Sequence, residues 1–331
     1  MLIETSAPTR VDLAGGTIDI WPLYLFHERA VTVNFAIDLP ARCRVMPRND
    51  GKFVLRSIDT AESAEFDGMV PLRTTPTLKL LARLIHFFNP GAGLEMVTEC
   101  TAPPGSGLAG SSALNIAICS ALNLLTGKKF TQEDLIRIAR NVEAQVIMVP
   151  TGEQDYYPAA YGGLQAIHFS PNGVRREMLD VDLDRLSQRL VLVYSGRLRN
   201  SGINNWDVMK RHIDGDPNIF RAFEGIIAAA NRTLTALRRG SFDEIDDALA
   251  EEWANRRVLS AGITTPEIDQ IVSLAISFGA RSAKVCGAGG GGCVVLSVAE
   301  GRRQEIQNKL REHNVHVIDY RIARQGVTLI S

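Results

Sequence analysis

Apolar and polar positions alternate over several short stretches of the first hundred residues. Leu2 to Ala7, Ala30 to Ile37, Ala41 to Pro47, Lys52 to Ser57 and Leu94 to Glu99, separated by turn residues, predict strands. From Thr77 the period lengthens: Leu78, Leu81, Ala82, Ile85 and His86 recur at helical spacing until Asn89-Pro90-Gly91 stops the run. Residues 101 to 127 carry no charged side chain, and their helical part, about 110 to 125, is closed by Gly127. A segment with no polar face predicts a helix buried on all sides. A second helix follows, from Thr131 as N-cap to about Val146.

Beyond that point, Ala160 to Phe169 and Leu190 to Tyr194 read as strands, and residues 218 to 280 as helices broken at Gly240 and near Gly262. A strand, a Gly-rich turn at 287 to 292, a strand from Cys293 to Val298, a helix from Arg302 to His313 and two closing strands complete the pattern. The expected division is two closely packed domains, 1–195 and 196–331, since no low-complexity segment separates them.

Composition narrows the classes. In 331 residues that are 45% hydrophobic and 22% charged, a formal net charge of −1 gives no field to gather nucleic acid or an anionic membrane. The uncharged stretch at 101 to 127 is long enough to span a bilayer, but Pro103, Pro104, its glycines and serines, Asn115 and Asn123 interrupt it. Five cysteines without a Cys-x-x-Cys pair, and no apolar leader near Glu4 and Arg10, point to a cytoplasmic protein with buried thiols. The six histidines show no metal spacing.

The turn into the buried helix holds the first candidate chemistry. Pro103-Pro104-Gly105-Ser106-Gly107-Leu108-Ala109-Gly110-Ser111-Ser112-Ala113 leaves a strand, turns on small residues and opens a helix with two hydroxyls in its first turn. Backbone N–H groups in such a turn and at a helix start converge on an anion. No lysine follows in the Walker manner. The loop matches Gly-x-Gly-x-x-Gly, but so does 287 to 292, and neither sits in a first βαβ unit as a dinucleotide fold requires.

Three charged residues stand out. Glu143 projects beside Ala139 on the flank of an apolar helix stripe, where a carboxylate needs either an arginine or a metal ion. Asp155 lies in the polar turn Thr151-Gly152-Glu153-Gln154-Asp155, ahead of a segment read as an aromatic strand. Arg10 and Asp12 share one face of the first strand, and Asp19 follows the Gly15-Gly16 turn. Arg10 suits phosphate or acts as an ordinary surface charge.

Taken in order, Ala7-Pro8-Thr9-Arg10 with its Gly-Gly turn, Pro103 to Ala113, and Lys284 to Gly292 resemble the three motifs of the GHMP kinases. Leu13-Ala14-Gly15-Gly16 and Gly152-Glu153-Gln154-Asp155 make the chain most similar to sugar 1-kinases of the heptose 7-phosphate type. The resemblance implies an α+β, two-domain GHMP kinase fold, with a ribosomal protein S5 domain 2-like N-terminal domain and a ferredoxin-like C-terminal domain. It implies ATP- and Mg²⁺-dependent phosphorylation of a sugar or sugar-phosphate hydroxyl, the anomeric one, as in a heptose 7-phosphate 1-kinase. Other GHMP activities, galactokinase-like or mevalonate-like, and a catalytically silent sugar or nucleotide sensor are the alternatives.

Roles carried over by position give Asp155 and Arg10 as catalytic. Pro104, Gly105, Ser106, Gly107, Leu108, Ala109, Gly110, Ser111 and Ser112 would bind ATP. Ser111, or Ser112 if the turn shifts register, would hold Mg²⁺ with Glu143. Gly16, Thr17, Asp19, Asp155, Gly287 and Gly289 would bind substrate. The usual serine of the second motif is Gly110 here, and Thr17-Ile18-Asp19 stands where heptose kinases have a further glycine and then Thr-Asp. The expected partner is a small molecule, and the sequence is compatible with a homodimer.

Overall fold

The computed structural model describes residues 2–197 and 201–330, and of 201–204 the backbone alone. Strand β1 (Ile3–Ala14) pairs antiparallel with β2 (Val31–Arg48), the spine of an eight-stranded sheet. The start of β2 pairs with β6 (Leu164–Ser170), its second half with β5 (Gly93–Cys100). Beyond β5 lies β3 (Lys52–Ser57), parallel to it, and then β4 (Glu62–Asp67); β7 (Gly173–Met178) extends β6, and β12 (Thr328–Leu329) borders β1.

Helices α1 (Lys79–Phe88), α2 (Gly110–Thr126), α3 (Gln132–Ile147) and α4 (Tyr156–Tyr161) cluster together, with α2 and α4 against β1 and β2. Helix α2 carries no charge, and Ala113, Ile116, Ala117, Cys119 and Ala121 are buried in one core with Ala7, Ala41 and Met96 of the sheet; it is not buried on all sides as expected, because Ser111 and Leu124 at its two ends are exposed. Among the described residues no helix is long and apolar enough to cross a membrane.

The second sheet is antiparallel, in the order β11 (His316–Ile318), β8 (Leu190–Tyr194), β10 (Cys293–Val298), β9 (Ala280–Val285). Numbered along the chain that order is 4-1-3-2, the ferredoxin-like arrangement. Short α5 (Leu183–Gln188) leads into β8, α9 (Pro266–Ser277) packs on β9, and α10 (Arg303–Glu312) packs on β11. Helices α7 (Pro217–Arg239) and α8 (Phe242–Arg257) join the halves: Ala230, Leu234 and Leu249 share a core with Val11, Val33 and Phe35 of the first sheet and Val295 of the second.

Several expectations change. The two strands expected at 30–37 and 41–47 are one, because Pro40, which has no N–H to give a ladder, sits in a register shift opposite Pro8 while pairing resumes on both sides. The strand expected from Ala160 starts at Leu164. Tyr156 to Tyr161 is helical instead: Pro158 sits in the first turn, where no N–H is needed, Ala159-Ala160 favours helix, and Gly162 at φ +69° ends it. The boundary expected at 195/196 falls after β8, which hydrogen-bonds only within the C-terminal sheet, so the two sheets divide between β7 and β8. Strands β4 and β7 went unread because half their residues are charged, and α6 (Ser201–Ile213) because its apolar face is narrow.

Candidate functional site

The segment from β5 to α2 reverses direction through three residues at positive φ, Gly105 (+65°), Gly107 (+77°) and Ala109 (+60°). Ala109 is the N-cap of α2 and offers no side-chain acceptor, so the first-turn amides are left for a ligand. They edge a cavity of about 380 Å³ that Gly152, Gln154, Asp155, Thr17, Asp19 and Gly287 also line. The third motif supports this loop from behind. The Cys293 N–H donates to the Ser106 carbonyl at 2.6 Å, and a Cβ on Gly292 would stand 2.6 Å from that same oxygen.

Most of the expected loop residues border the cavity, but Leu108 does not: its side chain is fully buried in the core shared by the two sheets. Gly16 and Gly289 likewise stand behind the cavity wall. A Cβ on Gly16 would lie 2.3 Å from Asp12 Oδ2, and one on Gly289 would lie 2.5 Å from the Ile263 carbonyl. Leu114, Ile147 and Val149 give the cavity an apolar wall that sequence spacing did not single out.

Glu143, on α3, is buried at 7% exposure and faces hydroxyls rather than an arginine. Ser111 Oγ donates to its Oε1 at 2.7 Å, Tyr156 OH to its Oε2 at 2.6 Å, and Ser112 Oγ to Oε2 at 3.4 Å. Burial pushes the Glu143 carboxyl above its usual range, against these donors. Ser111 is exposed and Ser112 is 4% exposed, so only Ser111 presents its oxygen openly to the cavity. Tyr156 was missed; it follows Asp155 directly, and the helical turn it opens sends the two side chains to different partners.

Arg10, only 1% exposed, donates through Nε to Asp155 Oδ1 at 2.8 Å, and a second nitrogen lies 2.7 Å from the same oxygen. Its third nitrogen donates to the Gly107 carbonyl at 2.6 Å, tying the phosphate-type loop to Asp155. Burial opposes the guanidinium's charge, but Asp155 and Asp12 outweigh it and hold its pKa above the ordinary value. Asp155 itself keeps 25% of its side chain exposed, with Oδ2 outside the Arg10 contact.

Asp19 is 2% exposed and accepts the Gln154 N–H at 3.0 Å. Burial, with the Asp155 charge second, raises its pKa to about 7. The folded state therefore holds a proton that the unfolded chain releases near pH 4, and stability falls as pH rises between those values. Asp19→Asn removes that loss. Its melting temperature relative to the parent protein is expected to climb from pH 4 to pH 7 and level off above, as a pH series of thermal melts will show; a constant difference contradicts the buried, protonated carboxyl.

A layer of buried charge backs the Gly15-Gly16 turn. Lys284 Nζ donates to the Asp12 carbonyl at 2.9 Å and lies 3.2 Å from Asp12 Oδ2 and 3.5 Å from Glu252 Oε1. Glu252 pairs with Arg256, whose guanidinium reaches the Gly16 carbonyl and Thr17 Oγ1. Sequence reasoning passed over Glu252 and Arg256 because an acid and a base four apart on a helix ordinarily mark a solvated face.

A helix-end anion cradle facing a paired arginine and aspartate, set between an eight-stranded sheet and a ferredoxin-like one, defines a small-molecule phosphotransferase architecture rather than a dinucleotide-binding one. Two family models match the chain, GHMP kinases N terminal domain over residues 75–163 and GHMP kinases C terminal over 233–316, and the chain belongs to this family. It is 26% identical to D-glycero-alpha-D-manno-heptose 7-phosphate kinase of Campylobacter jejuni, over 98% of each chain. Its fold matches that of a D-glycero-D-manno-heptose 1-phosphate kinase of Bacteroides thetaiotaomicron with a TM-score of 0.81 at 23% identity, covering 99% of each chain. It also matches Lactococcus lactis galactokinase, solved with galactose, at a TM-score of 0.80 and 18% identity, over 99% of this chain and 95% of that one.

Proposed function

We propose that the chain transfers the γ-phosphoryl group of ATP to a hydroxyl of a sugar or sugar phosphate, the anomeric hydroxyl of a heptose 7-phosphate or related sugar being the favoured acceptor. The observation that carries this reading is the Arg10 bridge, which fixes Asp155 at 2.8 Å and the Gly107 carbonyl at 2.6 Å, so that an acidic proton acceptor faces the anion cradle across one cavity. Phosphoryl transfer passes through a loose transition state and needs positioning and charge compensation more than covalent help. The loop amides and first turn of α2 hold the nucleotide phosphates, and the apolar wall of Leu114, Ile147 and Val149 takes the base. Asp155 Oδ2 receives the acceptor hydroxyl's proton, while Arg10 keeps that carboxylate aimed. Asp19 and Thr17 hold further hydroxyls of the sugar.

The residues fit Mg²⁺. Glu143 is a buried carboxylate paired with no cation among the described residues, and its Oε1 adjoins the exposed Ser111 hydroxyl. No group of three or more His, Cys, Asp or Glu among the described residues gathers to hold a metal alone, which suits an ion that takes one or two protein oxygens and completes its shell with phosphate and water. When bound, the ion supplies positive charge to the phosphoryl oxygens.

The test is an ATP-coupled kinase assay over D-glycero-D-manno-heptose 7-phosphate, galactose, mannose and their phosphates. Turnover of at least one, with magnesium required, is expected. Absence of turnover with every sugar and sugar phosphate overturns the proposal.

A further inference from the structure

Thr17 borders the cavity with φ at +74°, a left-handed conformation that a β-branched residue adopts only when its surroundings impose it. The imposing group comes from the C-terminal half. Arg256, near the end of α8 and fully buried, donates to the Gly16 carbonyl at 2.9 Å and to Thr17 Oγ1 at 3.1 Å. Its Nε is anchored on Glu252 Oε1 at 3.0 Å, and Glu252 lies 3.5 Å from Lys284, itself held on Asp12. The turn is close-packed, with room for glycine alone at its two preceding positions: a Cβ on Gly15 would stand 2.1 Å from the Val31 carbonyl, and one on Gly16 2.3 Å from Asp12 Oδ2.

Guanidinium nitrogens only donate, so Thr17 Oγ1 accepts from Arg256 and its own hydrogen is left to donate elsewhere. Two residues on, the Asp19 carboxyl also lines the cavity, and it keeps an acceptor oxygen whether or not it carries a proton. A sugar hydroxyl both donates and accepts, and a fixed donor near such an acceptor matches it.

We propose that Arg256 is a positioning residue for the acceptor: from α8 it holds the Gly16-Thr17 turn and fixes the Thr17 hydroxyl as a hydrogen-bond donor to the sugar. The proposal rests on the reading that the sugar lies beside Asp19 and Asp155 in the cavity. Arg256 touches no substrate, so its influence travels through Thr17.

A double-mutant cycle tests this, with acceptor KM and ATP KM measured for whichever sugar of the panel the parent protein turns over best. Thr17→Val keeps the side-chain shape and removes the hydroxyl. It is expected to raise acceptor KM about 3- to 10-fold, as the loss of one hydrogen bond does, with ATP KM unchanged. Thr17→Ser, which keeps the hydroxyl, recovers most of that loss. Arg256→Lys raises acceptor KM as well, and combined with Thr17→Val it adds less than it does alone, because both act through one contact. An unchanged acceptor KM in Thr17→Val, or a parallel rise in ATP KM, overturns the proposal. So do effects that simply multiply. Should Arg256→Lys fail to fold by thermal melt, Arg256→Gln, which keeps amide donors and removes the buried charge, takes its place in the cycle with the same expectation. Turnover of no sugar by the parent protein overturns the kinase reading and this proposal together, whereas turnover with an unmoved Thr17→Val overturns this proposal alone.

Discussion

Asp155→Asn is expected to lower kcat by at least about 100-fold while leaving ATP KM close to that of the parent protein. Arg10 places two nitrogens, at 2.8 and 2.7 Å, on Oδ1 of this carboxylate, so Oδ2 is the oxygen left for an acceptor. The asparagine side chain keeps the volume and an oxygen for Arg10, but its amide nitrogen has no free lone pair for a proton. Asp155→Ala should be as inactive, and less stable, because it leaves the guanidinium of Arg10, 1% exposed, short of its main partner. Steady-state kinetics on both variants, with melts as a fold control, measure this. A rate within a few-fold of the parent for the Asn variant removes Asp155 from the chemistry.

What the sequence disclosed and what it withheld follow one physical line. Groups that act through local backbone were legible: the Gly105 to Ser112 turn, the apolar α2 behind it and the Thr131 cap of α3 are all short-range patterns, and the structure has them where the spacing puts them. Glu143 was legible as a carboxylate on a core-facing flank, although periodicity left open whether an arginine or a metal answers it; the partners are the hydroxyls of Ser111, Ser112 and Tyr156. Long-range pairings were not legible. Lys284 meets Asp12, and Arg256 meets Gly16 and Thr17, across separations of 272, 240 and 239 residues, which no local pattern encodes. Nor was the helical state of Tyr156 to Tyr161, whose aromatics suggested a strand while Pro158 and two alanines decided for a helix turn.

Glu143→Gln is expected to move activity and stability in opposite directions, which separates a carboxylate kept for function from one kept for the fold. At 7% exposure the charge is desolvated, its pKa is raised by that burial, and no cation among the described residues offsets it. The neutral, equally large glutamine removes the desolvation cost: its oxygen, placed at the Oε2 position, still accepts from Tyr156 and Ser112, and its amide NH2, at the Oε1 position, donates to the Ser111 hydroxyl, so the melting temperature of the ligand-free protein should rise at neutral pH. Kinase activity at millimolar magnesium should fall at least about 100-fold, and the magnesium concentration for half-maximal rate should increase by about 10- to 100-fold, because a neutral oxygen replaces the charged one. Binding of Mn²⁺ to the ATP complex, followed by its paramagnetic signal, gives the same affinity change without relying on turnover. If Glu143 were instead a structural acceptor for Tyr156 and the two serines, the melting temperature would drop and metal affinity would stay fixed. The two signs cannot both hold, so one pair of measurements on one variant decides which of these roles the buried carboxylate has.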